Sequence, residues 1–240
     1  CYWFCASGRL MKLPVILALD TKDLTQASEW IKASIDSIDH FKIGLEFYLK
    51  HGRVGIEKLQ NENEFKLFLD LKLHDIPNTV KGAVESVASL SPKFLSVHAS
   101  GGGKMISAAK QALANGSITA ITVLTSFSED DFSTLGMAKN ISETAKNWAG
   151  LSLAAGATSL VCSPFEVAQL RVIAGSAILI TPGVRVEGDD LGDQARVMSP
   201  KDAINAGANF VVIGRSITGA WDGNDKKMRE KIEHIAKSLS

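Results

Sequence analysis

The sequence predicts a single-domain α/β fold, a (β/α)8 barrel of the TIM-barrel class, and three observations predict it. Eight short apolar runs alternate with helix-like stretches from one end of the chain to the other. The runs are nearly continuous in hydrophobicity, as parallel strands covered by helices on both faces must be. No linker, charge block or compositional break divides the 240 residues, a length close to the roughly 250 residues that such barrels use. Right-handed crossovers repeated in this way close a sheet on itself. An open doubly wound sheet is the competitor. Its glycine-rich turn after the first strand is missing, and Asp20-Thr21-Lys22-Asp23 stands there instead.

In order, the expected strands are Val15–Leu19, Phe41–Ile43, Lys66–Leu71, Phe94–Val97, Ile118–Leu124, Ser159–Val161, Ala177–Ile180 and Phe210–Ile213, all rich in β-branched or aromatic residues. Helical stretches are expected at Leu24–Ile38, Thr79–Leu90, Lys104–Ala114, Ile141–Ala155, Pro164–Ile173, Pro200–Ala206 and, last, Lys226–Leu239. Ser163-Pro164 and Ser199-Pro200 each offer a capping hydroxyl beside a proline suited to a first helical position. Gly101-Gly102-Gly103 lacks the Lys-Ser/Thr of a P-loop and reads as a tight strand-to-helix turn. Trp30, Trp148 and Trp221 fall on stretches read as helical and suit core or dimer packing.

Lys plus Arg and Asp plus Glu both number 26, so the formal net charge is zero. Nucleic-acid affinity that rests on phosphate neutralisation is not expected from that balance. Cys1, Cys5 and Cys162 are too few and scattered for a disulfide framework or structural zinc, which points to a reduced, cytoplasmic protein. No apolar run approaches a membrane span, and the apolar start Cys1-Tyr2-Trp3-Phe4-Cys5 lacks the basic region of a signal peptide. Residues 1–10, which precede Met11, are expected to be a disordered or non-native extension, with the barrel spanning 11–240.

Function in such barrels sits at the C-terminal ends of the strands. Those ends carry Asp20, Lys42, the stretch Asp70-Leu71-Lys72-Leu73-His74-Asp75, His98, Thr125-Ser126, Thr181-Pro182-Gly183 and Gly214-Arg215. Asp70 and Lys72 are two residues apart, so on a strand both point into the barrel mouth. Lys42, Asp70, Lys72 and Asp75 would then form an alternating array, with neighbours attracting by about 4 kcal/mol at 4 Å. The array would keep Lys72 protonated and aimed, as a proton donor requires. A structural inter-strand salt bridge is the plainer alternative, and four charges converging on one mouth weigh against it. His98 suits a hydrogen-bonded barrel histidine, and His74 an orienting or dimer-contact residue.

Asp70-Leu71-Lys72-Leu73-His74-Asp75-Ile76-Pro77-Asn78-Thr79 resembles the signature of the orotidine 5′-phosphate decarboxylase family. Leu17-Ala18-Leu19-Asp20, Phe41-Lys42-Ile43-Gly44, Val97-His98-Ala99, Val123-Leu124-Thr125-Ser126, Thr181-Pro182-Gly183-Val184-Arg185 and Val212-Ile213-Gly214-Arg215-Ser216-Ile217 match in order, from about Met11 to the last helix. The resemblance implies decarboxylation of orotidine 5′-phosphate to UMP with no cofactor and no metal. It implies Lys72 as the group that stabilises and protonates C6, with Asp70 beside the departing carboxylate. Lys42 would bridge Asp70 and the ribose, and Asp20 would also bind the ribose. Thr125 and Ser126 would meet the pyrimidine edge. Asp75, Ile76 and Thr79 would reach a neighbouring subunit's site in a homodimer. Pro182, Arg185, Gln194, Gly214 and Arg215 would hold the phosphate. Val184–Gln194, with Gly188 and Gly192, would act as a closing loop whose acids Glu187, Asp189, Asp190 and Asp193 face away from it.

The nearest rival is the magnesium-dependent 3-keto-L-gulonate 6-phosphate decarboxylase group, which shares Asp-x-Lys-x-x-Asp and carries an acid on the second strand. Lys42 stands where that metal ligand would be wanted. A phosphosugar isomerase would need a placed general base rather than an ammonium between carboxylates, and a non-catalytic phosphate-ligand binder would lose little on replacement of Lys72.

Overall fold

A computed structural model describes residues 12–186 and 198–239. Eight parallel strands close into a barrel in sequence order, each hydrogen-bonded to the next and β8 back to β1. The strands are β1 (Val15–Ala18), β2 (His40–Gly44), β3 (Lys66–Leu73), β4 (Phe94–His98), β5 (Ser117–Ile121), β6 (Ser159–Val161), β7 (Ile178–Thr181) and β8 (Phe210–Ile213). Around them run α1 (Leu24–Ser34), α2 (Leu45–Glu62), α3 (Pro77–Val87), α4 (Gly102–Ala112), α5 (Glu129–Thr134), α6 (Ile141–Ala154), α7 (Val167–Ala174), α8 (Pro200–Asn205), α9 (Arg215–Thr218) and α10 (Lys226–Leu239). The expected extension at residues 1–10 lies outside the described residues.

Strand alternation divides the apolar residues between two cores. Leu17, Leu67, Leu69, Leu95, Val97, Leu160, Leu179 and Val211 face outward and pack beneath the helices. Ile16, Phe68, Phe94, Ile121, Val161 and Ile180 face inward and fill the barrel. Near the N-terminal ends of the strands the interior is plugged by rings, with Phe94 5.8 Å from Phe68 and 6.0 Å from Phe210, and His40 4.6 Å from Phe210. One pleat above His40 comes Lys42, and one above Phe68 comes Asp70. An apolar floor therefore lies under the charged layer and keeps water from entering below it.

Several local expectations change. β5 ends at Ile121, short of Leu124, so Thr125 and Ser126 lie in a turn four and five residues past it. Thr122 still donates its N–H to the Val161 carbonyl, but Val123 turns away into a satellite core with Phe132 and Ala145. Pro164 does not open a helix. α7 begins at Val167, because the Ser163 N–H donates to the Glu166 carboxylate and residues 164–166 form a turn. Ser199 does cap α8, accepting from the Asp202 N–H with Pro200 in the first turn. Trp221 follows α9 rather than lying on a helix. Gly101 and Gly102 form the tight turn into α4, Gly102 at φ +82°.

Candidate active site

β3 departs from regular pairing where the chemistry is concentrated. Leu69 pairs with Leu95 and Leu73 with Val97, so four residues of β3 advance against two of β4. A one-residue bulge would turn every later side chain to the other face. Two extra residues preserve the parity: Leu69, Leu71 and Leu73 stay on the helix side, while Asp70 keeps its place inside the mouth with Lys72 beside it. The cost appears at Lys72, whose φ is +49°, a value side chains other than glycine adopt only when the surroundings enforce it.

Four charges meet there. Lys72 Nζ lies 2.7 Å from Asp70 Oδ2, and Lys42 Nζ lies 3.5 Å from the same oxygen and 3.3 Å from Asp20 Oδ1. The side chains are graded in depth: Asp70 is 7% exposed, Lys42 14%, Lys72 33% and Asp20 57%. The alternating array exists, but its fourth member within one chain is Asp20, not Asp75. Asp75 is exposed, and its carboxylate accepts the Ile76 N–H while making no ion pair among the described residues. The chain turns outward after Leu73, which carries Asp75 away from the mouth.

Burial pushes the Asp70 carboxyl up, but the attraction of Lys42 and Lys72 and the hydrogen bonds from Lys72 and Ser96 outweigh it, leaving it below the usual carboxylate range. A buried charge is tolerable when its lone pairs are filled in this way. Ser96 was not among the residues singled out from the sequence. Its hydroxyl donates to Asp70 Oδ1 at 2.8 Å and accepts the Lys72 N–H at 2.9 Å. A signal existed, since Ser96 lies two residues before His98 and so shares its inward face.

The His98 ring makes no side-chain hydrogen bond among the described residues; it packs against His74 with ring centroids 5.4 Å apart. Burial, then the proximity of His74 and Lys72, lowers its pKa against the opposing pull of Asp70, which favours the neutral ring.

A cleft of about 160 Å³ opens over the array, lined by Asp20, Thr21, Lys42, Gly44, Asp70 and Lys72 among others. A larger concavity, about 670 Å³, lies on the outer surface between α4 and α6 and has Lys104 as its single ionisable residue. The remaining expected residues are spread around the C-terminal rim. Pro182 follows β7, and Arg185 donates from Nη1 to the Val184 carbonyl while its N–H bonds the Met198 carbonyl. Gly214 follows β8 at a position where an added Cβ would lie 3.4 Å from Asp20 Oδ2, and Arg215 opens α9, exposed. Thr125 and Ser126 are exposed on the β5 side. Ile76 and Thr79 are exposed at the start of α3, Ile76 at 67%. Gln194, with Glu187, Gly188, Asp189, Asp190, Gly192 and Asp193, lies outside the described residues.

Among the described residues no helix is long and apolar enough to cross a membrane. The sequence model of the orotidine 5′-phosphate decarboxylase / HUMPS family matches residues 13–228. The chain is 47% identical over 213 residues to the orotidine 5′-phosphate decarboxylase of Thermobifida fusca, covering 88% of this chain and 91% of that protein. It is 40% identical over 229 residues to the enzyme of the same name from Frankia casuarinae, covering 88% and 84%. The crystal structure of orotidine 5′-phosphate decarboxylase from Lactobacillus acidophilus superposes with a TM-score of 0.79 at 31% identity, covering 95% of this chain and 99% of that one.

Proposed function

The chain belongs to the orotidine 5′-phosphate decarboxylase / HUMPS family, and from that premise we propose that it decarboxylates orotidine 5′-phosphate to UMP, in de novo pyrimidine biosynthesis, by means of Lys72. One observation carries the mechanism: the Lys72 ammonium, 2.7 Å from Asp70, is held in the mouth of the barrel in a four-charge array. Breaking the C6–carboxylate bond leaves its electron pair on C6 of the pyrimidine, with no adjacent carbonyl to spread the charge. A fixed ammonium favours that developing carbanion more than the substrate, which is the condition for accelerating the step. Lys72 then gives its proton to C6, CO2 leaves, and solvent reprotonates the amine. Asp70 sits beside the departing carboxylate and holds Lys72 in aim.

Lys42 and Asp20 supply a donor and an acceptor for the ribose hydroxyls, and Thr125 and Ser126 serve the pyrimidine edge. Pro182, Arg185, Gln194, Gly214 and Arg215 serve the phosphate, for which two guanidiniums on the adjacent β7 and β8 ends are suited. Asp75, Ile76 and Thr79, all exposed, serve the site of a second subunit in a homodimer. The protein acts in the cytoplasm.

Lys42 also speaks against the magnesium-dependent relatives. Its ammonium already lies between Asp20 and Asp70, the carboxylates a divalent ion would require. The test is turnover of orotidine 5′-phosphate followed by absorbance and CO2 release, with and without EDTA. Chelator-insensitive release of CO2 is expected; no release would overturn the proposal, and loss of turnover in EDTA would move it to the metal-dependent branch.

A further inference from the structure

We infer that Ser96 is the positioning residue of this site: one buried hydroxyl clamps the Asp70 carboxylate and the bulged Lys72 backbone together and so aims the Lys72 ammonium. The inference rests on the decarboxylase reading and deepens it. A serine hydroxyl has one proton to give, and here it goes to Asp70 Oδ1; a lone pair takes the Lys72 N–H. Asp70 is thereby divided by function, with Oδ1 fixed by Ser96 and Oδ2 left to face Lys72 at 2.7 Å and Lys42 at 3.5 Å.

The bulge explains why a hydroxyl is needed at this position. Between Leu69 and Leu73 the β3 backbone outruns β4, so the Lys72 N–H bonds a side chain rather than a β4 carbonyl. A buried N–H left unpaired costs the desolvation of a strong donor. Ser96 supplies the acceptor from the β4 side, and the same contact holds Lys72 at φ +49°. Ser96 is 0% exposed, so it acts only through the two residues it bonds.

Ser96→Ala removes both bonds without adding bulk. The kcat for orotidine 5′-phosphate is expected to fall about 10–100-fold, the range for losing a hydrogen bond to a charged group. KM should stay within about twofold, because no substrate contact is touched. The acid limb of kcat should move to higher pH, because the carboxylate form of Asp70 loses a donor. Unchanged kcat and acid limb would overturn the inference, as would a raised KM at unchanged kcat. Ser96→Cys, similar in size with a weak donor, covers the case in which the alanine variant does not fold: it should give an intermediate kcat, and parental kcat would count against the clamp. The Asp70 titration, followed by carbon NMR, separates this inference from the decarboxylase reading. If the parent released no CO2 while Ser96→Ala still raised the Asp70 pKa, the reaction assignment would fail and the clamp would stand. If that titration did not move, the clamp itself would fail.

Discussion

Asp70 shows what the barrel mouth demands of a single residue. Burial alone pushes its carboxyl up, and two lysines with a serine bring it below the usual carboxylate range. Asp20, Lys42, Asp70 and Lys72 were legible in the sequence because charges at the ends of buried strands are costly unless they meet one another. Ser96 carries no such charge and was signalled only by its register, two residues before His98 on the inward face of β4. Asp75 was read into the array because spacing along β3 says nothing about where the chain turns after Leu73. Another buried acid makes the opposite bargain. Burial pushes Glu166 up from 4.5 to about 7, and the Ser163 N–H only partly offsets it. Its folded pKa lies above its unfolded one, so its contribution to stability is complete below about pH 4.5 and is lost as pH rises through 7. The penalty at pH 8 approaches about 3 kcal/mol. Glu166→Gln should therefore raise the denaturant midpoint at pH 8 and change it far less at pH 5; an equal gain at both would contradict the titration.

At the scale of elements, all eight strands were legible because burial on both faces writes an unbroken apolar run. The misread ends have local causes, as with Val123, which is apolar for the sake of the satellite core rather than the sheet. α2 gave no clean period, being interrupted by Gly52 at φ +59° and ψ −158°. Two other glycines separate backbone need from mere tolerance. Gly116 enters β5 at φ +112°, where a Cβ would collide with the Pro92 carbonyl. Gly150 lies inside α6 with open space around it. Gly116→Ala should cost more than about 2 kcal/mol in chemical denaturation, whereas Gly150→Ala should gain about 0.5–1 kcal/mol. Equal effects of the two would show that the turn before β5 is not constrained as described.

At the scale of the whole molecule, the barrel separates stability from chemistry: an aromatic plug at one end, a charged mouth at the other, and the bulge of β3 facing the mouth. Closure of the sheet was legible in the order of runs; the bulge was not, because its extra residues keep the alternation intact. The outward placement of Asp75, Ile76 and Thr79 makes subunit mixing informative. Neither Asp75→Ala nor Lys72→Ala alone should turn over, but an equal mixture allowed to exchange subunits should recover about a quarter of parental activity, the statistical share of complete sites in a shared-site dimer. No recovery would place Asp75 outside the partner's site. The most direct measurement is CO2 release from orotidine 5′-phosphate by Lys72→Ala alone, paired with calorimetric binding of UMP. No measurable release, with UMP still bound, is expected; turnover near the parental rate would contradict the role of Lys72 as proton donor.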